Sequence, residues 1–308
     1  ERLAEAYIDQ GQDGKAKALL EKHLASESLN ANGYLLLAAF ASAEGDFHAA
    51  ESRCHEAQTR GFNTPEVRQM RGQLQLVRNQ LDHAKATLQS LASDTEKVAL
   101  GREARVYLAY LAFRESDRKT LRSLEAAAKE NQSVDGQWGE THFHRALLAS
   151  LDEKPAEVFD YLRAARKDLP ENAAVRVLLA SQHRQRGDHR EALETFDSVT
   201  GLMRHWAPCL LGRAVALHAL GESGQAVQLV SQMHERGIYT KESLQLFRDT
   251  AYASNHANEG EVAQTLLEEQ FPGQADVRLF RATQAMREGA WLQAQEVFAN
   301  LARQFPED

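Results

Sequence analysis

The sequence contains little proline, few aromatic residues and almost no cysteine. Its 308 residues include 6 prolines and 2 cysteines, and aromatic residues make up 7% of the chain. Because proline interrupts helices, and aromatic and β-branched residues favour strands, their scarcity favours helical structure. No run of alternating β-branched residues indicates a strand. We therefore predict an all-α fold without a sheet.

The two cysteines lie far apart in the sequence, at Cys54 and Cys209. In an extended array of helices, residues at this separation would lie too far apart to form a disulfide bond. We expect both thiols to pack as small hydrophobic side chains.

The sequence also lacks a basic excess and a long apolar run. The net charge is −8 at pH 7, whereas a nucleic-acid-binding protein needs a basic surface that neutralises phosphates. The longest apolar run, Tyr34–Ala43, is far shorter than the roughly 20 residues that span a bilayer. We predict no nucleic-acid partner and no direct insertion of this chain into a membrane.

Motifs for catalysis, metal binding or cofactor binding are missing as well. The chain has 12 histidines, yet no His-Glu-x-x-His pair and no two clusters at the spacing of a zinc site. It has no glycine-rich phosphate loop and no nucleophile elbow. We therefore predict that the protein is not an enzyme and holds no metal or cofactor.

What the sequence does contain is an internal repeat, clearest over residues 171–238, where a 34-residue unit occurs twice. A small residue recurs at one position of a first helix and, twelve residues later, at one position of a second helix. Small residues at such positions let two antiparallel helices approach closely. The first-helix positions are Ala4, Ala38, Gly72, Ala109, Ala146, Ala180, Ala214, Ala251 and Ala282. The second-helix positions are Ala16, Ala50, Ala84, Leu121, Val158, Ala192, Ala226, Ala263 and Ala294.

This pattern resembles the tetratricopeptide repeat, which has a small residue in its first helix, a glycine at the turn and a small residue in its second helix. In the best-defined pair of repeats, the turn glycines are Gly187 and Gly221. The resemblance covers the whole chain. It implies a right-handed superhelical solenoid of about nine helix-turn-helix repeats, whose first helices line a concave groove.

We expect one α-solenoid over residues 1–308. The stretch 129–137 is the most loop-like in the sequence; it is either a loose joint between two halves or a long turn between repeats. Because the chain begins at Glu1 within a helical pattern and has no dedicated polar cap, we expect it to be part of a longer protein.

The resemblance also implies which residues line the groove, namely first-helix residues on the face away from the paired second helix. They hold a protein partner or peptide segment, or they fill the interior of a tight superhelix. These candidates are Val106, Tyr110, Phe113, Phe143, Leu147, Val177, Leu211, Val215, His218, Tyr252, Leu279 and Met286. An arginine series recurs on the same helices and indicates either ion pairs with glutamates of neighbouring repeats or an anionic ligand. Its members are Arg105, Arg145, Arg176, Arg213, Arg278 and Arg281.

These features favour a protein-interaction scaffold. Arginine far outnumbers lysine and alanine is abundant, a composition typical of GC-rich bacteria. The style of the repeats is similar to that of tetratricopeptide regions in exopolysaccharide-export and biofilm proteins. The first hypothesis is therefore a scaffold in bacterial envelope assembly, secretion or polysaccharide export. The alternatives are a regulatory solenoid that senses a ligand and a non-catalytic module of a larger enzyme such as a glycosyltransferase.

Overall fold

The computed structural model describes residues 2–93, 97–135, 138–253, 256–272, 274–287 and 289–304. Over these ranges the chain forms 18 α-helices and one short 3-10 helix, and no strand. The predicted all-α architecture is confirmed.

The helices form nine consecutive pairs, each made of a first and a second helix. The first five pairs are α1 (Arg2–Asp9) and α2 (Asp13–Ala25), α3 (Ala31–Ala43) and α4 (Phe47–Thr59), α5 (Pro65–Val77) and α6 (Leu81–Ala92), α7 (Val98–Arg114) and α8 (Arg118–Asp135), and α9 (Gly139–Leu151) and α10 (Pro155–Asp168). The remaining four are α11 (Ala173–Gln185) and α12 (His189–Asp197), α13 (Ala207–Ala219) and α14 (Ser223–Glu235), α15 (Lys241–Ala253) and α16 (Ala257–Gln270), and α17 (Ala275–Arg287) and α18 (Trp291–Gln304). The 3-10 helix, Gly201–His205, lies between α12 and α13.

The chain divides into two compact units, residues 1–212 and 213–308, and the boundary falls within α13. In the first unit, each helix from α1 to α7 packs against the next one, and α8 to α12 continue this order. First helices also touch one another there, for example α5 with α7 and α7 with α9. In the second unit, α14 to α18 pack in chain order. A single array over residues 1–308 stays a prediction.

The core of both units is built on the small-residue positions. All eighteen of them are buried, most at 0% exposure. The two that are not small, Leu121 and Val158, are buried as well, at 0% and 5%. Each pair of positions therefore marks a close helix–helix contact, as the repeat pattern predicts. Cys54 and Cys209 are also buried, and burial raises the pKa of the Cys54 thiol to about 12.

In eight of the nine repeats, the described turn after the first helix contains one residue in the left-handed region of the backbone; residues 254 and 255 of the turn after α15 lie outside the described part of the chain. Glycine occupies this place in repeats one, two, six, seven and nine, with φ of +85° at Gly187 and +82° at Gly221. In repeats three, four and five the same place holds Asn79, Ser116 and Glu153, with φ of +58°, +56° and +58°. These are three of the repeats in which the sequence pattern is least regular. The turn geometry is thus retained where the glycine is not.

Glu153→Gly should stabilise the protein, because an L-residue in the left-handed region costs about 1–2 kcal/mol. Part of this gain is offset, since glycine loses more backbone entropy on folding than glutamate does. We expect a gain of about 0.5–1 kcal/mol in the free energy of unfolding, measured by urea titration. The matched substitution Gly187→Ala should cost about 1 kcal/mol. No atom lies within 4 Å of the added Cβ, so the backbone angle alone produces this loss. If both variants were as stable as the parent, the left-handed conformation assigned to positions 153 and 187 would be contradicted.

The stretch predicted to be most loop-like is largely helical. Helix α8 continues to Asp135, so the prediction of a loop over 129–137 is wrong for residues 129–135. The residues there that favour turns, Asn131 and Ser133, are tolerated near the end of a helix that began at Arg118. Residues 136 and 137 lie outside the described part of the chain.

Ion pairs account for four members of the arginine series. Arg105 forms a bidentate pair with Glu140 of the next repeat, with Nε–Oε1 and Nη2–Oε2 distances of 2.6 and 2.9 Å. Arg145 contacts Glu125 of the preceding repeat at 3.1 Å. The other two pairs are Arg176 with Glu171 and Arg281 with both Glu261 and Glu268. The prediction of ion pairs with glutamates of neighbouring repeats is confirmed for Arg105, Arg145 and Arg281, whereas Arg176 pairs with Glu171 of its own repeat. An anionic ligand is not needed to balance these four arginines.

The Arg105–Glu140 pair lies close to the fully buried His144. Burial, and secondarily the charge of Arg105, lowers the pKa of His144 from 6.5 to about 4. The native protein therefore keeps this imidazole neutral at pH values where the unfolded chain binds a proton. Stability should then fall as the pH decreases from about 6.5 towards 4, since the unfolded state binds more protons in that interval.

Replacing His144 with glutamine removes this difference in proton binding. We expect His144→Gln to lose less stability than the parent between pH 7 and pH 4, by about 3 kcal/mol, measured by urea unfolding at both pH values. The control is His23→Gln, at an exposed position, which should keep the pH dependence of the parent. If the free energy of unfolding depended on pH in the same way for His144→Gln and the parent, the lowered pKa of His144 would be refuted.

Candidate functional site

Five of the twelve predicted groove residues are part of the core of the first unit. These residues are between 0% and 6% exposed, so they do not present a surface to a partner. They are Val106, Tyr110, Phe143, Leu147 and Val177. For these five the interpretation as groove residues is corrected: they fill the interior of the array.

A segment of the same chain covers part of this inner face. The 199–206 linker, which follows α12 and includes the 3-10 helix, packs against α5. The ring centroid of Trp206 lies 4.7 Å from that of Tyr110 and 5.9 Å from that of Tyr107, both on α7. Trp206 is 2% exposed and Met203 is 5% exposed. The linker therefore buries the aromatic residues that would otherwise line the groove of the first unit, and burial raises the pKa of Tyr110.

Trp206→Ala should destabilise the first unit by about 3–5 kcal/mol, because a large side chain is removed from a packed interior. Urea unfolding, followed by far-UV circular dichroism, measures this loss. The control is Trp291→Ala, at a site where the tryptophan is 64% exposed, and its stability should differ little from that of the parent. A loss below about 1 kcal/mol for Trp206→Ala would contradict the packing of the linker described above.

In the second unit the first helices do leave an open cavity. It has a volume of about 750 Å³ and lies between α15 and α17. Two of the predicted groove residues, Tyr252 and Leu279, line it. The Leu279 side chain is 45% exposed, which is high for a leucine at the wall of a cavity. This cavity is the candidate functional site, and we call it the α15–α17 groove.

One wall of the α15–α17 groove is held by a buried arginine. The guanidinium of Arg248 lies 3.8 Å from the ring centroid of Phe280. It donates to Asp249 Oδ1 at 2.8 Å and to Gln264 Oε1 at 3.0 Å. Gln264 is fully buried and donates to the carbonyl oxygen of Val277 at 2.9 Å. These bonds join α15, α16 and α17, so the Phe280 face is held in place without a ligand.

The second aromatic wall depends on a glycine of α16. The ring of Tyr252 lies 5.7 Å from that of Phe280, and its hydroxyl donates to Glu261 Oε2 at 3.1 Å. A Cβ at Gly260 would come within 2.7 Å of Tyr252 Cε2. Gly260 therefore lets the tyrosine ring lie close to the backbone of α16. Burial, followed by the hydrogen bond to Glu261, raises the pKa of Tyr252.

The charges at the rim of the groove are unequally compensated. Asp249 is paired with Arg248, and Asp276 is paired with Lys241 at 2.8 Å. The hydrogen bond from Lys241 is the main cause that lowers the pKa of Asp276. Arg287 lines the groove and is exposed; within the described ranges it forms no ion pair. The groove thus offers aromatic and aliphatic walls with an exposed arginine at its rim.

The other predicted residues lie elsewhere. Met286 is 41% exposed on α17 but is not part of the lining. The half-buried ones outside the groove are Phe113, Leu211, Val215 and His218. Sequence reasoning missed Arg248, Phe280, Thr283, Gln284 and Arg287. A signal was available for two of them, because Arg248 precedes Tyr252 by four residues and Thr283 follows Leu279 by four, which places each pair on one helix face.

The described residues contain neither a cluster of metal ligands nor a membrane-spanning helix. No group of three or more histidine, cysteine, aspartate or glutamate side chains lies close enough there to hold a metal ion. No helix in the same part of the chain is both long and apolar enough to cross a membrane.

Comparison with known proteins identifies the fold. No protein-family model matches the sequence, and no curated protein matches it. A tetratricopeptide repeat protein from Parabacteroides merdae ATCC 43184 is similar in structure, with a TM-score of 0.50 and 14% identity over 81% of this chain and 96% of that one. The chain therefore has the fold of the tetratricopeptide repeat proteins.

Other solved structures have lower TM-scores. MamA from Desulfovibrio magneticus RS-1, residues 41 to the end, has a TM-score of 0.47 and 11% identity, covering 55% of this chain and 96% of that one. The human IFIT1 dimer with m7Gppp-AAAA has a TM-score of 0.48 and 16% identity, covering 92% of this chain and 72% of that one. Because both scores are below 0.5, the fold assignment depends on the first comparison.

Proposed function

We propose that the protein is an interaction scaffold and that the α15–α17 groove binds a linear segment of a protein partner. The observation that supports this is an open cavity of about 750 Å³ on two first helices, with the half-exposed Leu279 in its wall. Exposed apolar surface in a concave site is a mark of binding. Arrays of helix pairs use such surfaces to hold partner segments.

The chemistry of the groove defines the partner segment. Tyr252, Phe280 and Leu279 offer contacts to an apolar side chain. The exposed positive charge of Arg287 suits an acidic residue of the partner next to it. The segment therefore carries one bulky apolar residue flanked by an aspartate or glutamate.

The proposed setting is bacterial envelope assembly, secretion or polysaccharide export. Its support is compositional, namely the excess of arginine over lysine and the richness in alanine. A non-catalytic module of a larger enzyme, such as a glycosyltransferase, is one alternative for the whole protein.

A ligand-sensing role is the second candidate, because a cavity of about 750 Å³ is within the size range of small-molecule sites. The exposed rim favours the scaffold. A sensor encloses its ligand, whereas Leu279 and Arg287 both lie open to solvent.

Photo-crosslinking from within the groove tests the proposal. Thr283→p-benzoylphenylalanine places a reactive group in the lining, and mass spectrometry of the crosslinked peptide identifies the partner segment. A synthetic peptide of that segment is then titrated into the full chain by calorimetry.

Leu279→Ser should weaken the binding of this peptide about tenfold or more, because the contact of a leucine side chain with the peptide is lost. The matched control is Leu292→Ser, at a position that is 84% exposed and outside the groove, and it should bind as the parent does. Both variants should keep the parent melting temperature to within a few degrees. Unchanged affinity in Leu279→Ser would refute the groove as the binding site.

A further inference from the structure

A second cavity lies on the first unit and differs in chemistry from the α15–α17 groove. It has a volume of about 270 Å³ and is walled by α4, α5 and α6. Its lining is polar throughout and contains three histidines and two arginines. The lining residues are His48, Glu51, Ser52, His55, Arg71, Gln75, Arg78, Gln80 and His83. We call it the three-histidine cleft.

Among the residues that line the cleft, Glu51 is the single acidic side chain, and its carboxylate is already engaged. Arg78 donates to Glu51 Oε2, and Gln75 donates to Oε1 at 3.2 Å. Gln75 is 1% exposed and also accepts from the hydroxyl of Thr87 at 2.8 Å. Both oxygens of Glu51 are thus bound, so the carboxylate is balanced by Arg78 within the wall.

Arg71 is the cation that the wall does not balance. It donates from Nη1 to the neutral side chain of Gln58. Its Nε is buried and has no hydrogen-bond partner. Within the described part of the chain, no carboxylate pairs with Arg71. A buried guanidinium nitrogen without an acceptor is costly, and a bound anion would supply that acceptor.

The remaining polar groups around the cleft suit an anion as well. His48 and His55 lie seven residues apart on α4 and share one helix face, and His83 faces the same cleft from α6. Imidazoles donate hydrogen bonds when neutral and add positive charge when protonated. Donor side chains from three helices therefore line one cleft, an arrangement that suits an oxyanion with several acceptor oxygens.

We infer that the three-histidine cleft binds a small phosphate-class oxyanion, with Arg71 as its central ligand and His48, His55 and His83 around it. The site is independent of the partner groove, because all of its residues belong to the first unit and none is in α15 or α17.

Titration of the full chain with inorganic phosphate tests this inference. Calorimetry gives the affinity, and imidazole nitrogen NMR reports whether the phosphate reaches the histidines; sodium chloride at equal ionic strength corrects for screening. We expect saturable binding with shifts of three histidine signals. Glycerol 3-phosphate is titrated in the same way as a second ligand. Tighter binding of this ester would indicate a phosphorylated metabolite as the natural ligand, and tighter binding of inorganic phosphate would indicate the free ion. Either result supports the site.

Arg71→Gln should weaken phosphate binding about tenfold or more, because a charge-assisted hydrogen bond is lost. Arg53→Gln is the matched control, since Arg53 lies on α4, pairs with Glu56 and is not part of the lining; its affinity should equal that of the parent. If circular dichroism shows that Arg71→Gln is unfolded, the test uses His55→Asn and His83→Asn instead, because both histidines are exposed. Each of these variants should bind phosphate several fold more weakly than the parent. Absence of saturable binding in the parent, or equal binding in the cleft variants and the parent, would overturn the inference.

Discussion

The structure depends on close contact between two helices at a pair of small residues. Ala180 and Ala192, twelve residues apart, are both fully buried, and so are Ala214 and Ala226 in the next repeat. A side chain no larger than a methyl group lets the backbones approach, and larger residues then pack around the contact. Because this contact recurs through the chain, the two positions stay twelve residues apart in every helix pair, and the described turns between them share one left-handed residue. The left-handed turn residue follows from it, even where Ser116 or Glu153 must adopt that conformation without the freedom of glycine.

A consequence is that first helices are left with one face that their own second helix does not cover. In the first unit that face is covered in part by the 199–206 linker, whose Trp206 packs against Tyr107 and Tyr110. In the second unit the corresponding face on α15 and α17 stays open, and its aromatic residues line a cavity. The same repeat chemistry therefore gives a partly covered face in one unit and an open cavity in the other. The face of the first unit differs in that the 199–206 linker packs on it.

The sequence was sufficient to predict the helices, their pairing and the turns, because these follow from local spacing. It also predicted the arginine–glutamate pairs, since charges that recur on one face meet their partners in the adjacent repeat. It was not sufficient to separate groove from core. Periodicity shows which face of α7 points away from α8, but not what covers that face. The period of 34 residues also concealed the linker, because α12 has only 9 residues, and the linker takes up the length that a longer helix would use.

The signal that could have revealed the linker is its composition. Met203 and Trp206 are two bulky apolar residues within the eight-residue 199–206 linker between α12 and α13. A bulky apolar residue in a connection must be buried somewhere, and the nearest uncovered apolar face in a repeat array is that of the first helices. The same reasoning applies to the second unit with the opposite result: its described connections contain no tryptophan, and its groove is open. Gln264 holds Arg248 against the wall of this groove, and Gly260 leaves room for the ring of Tyr252, so the walls are ordered without a ligand.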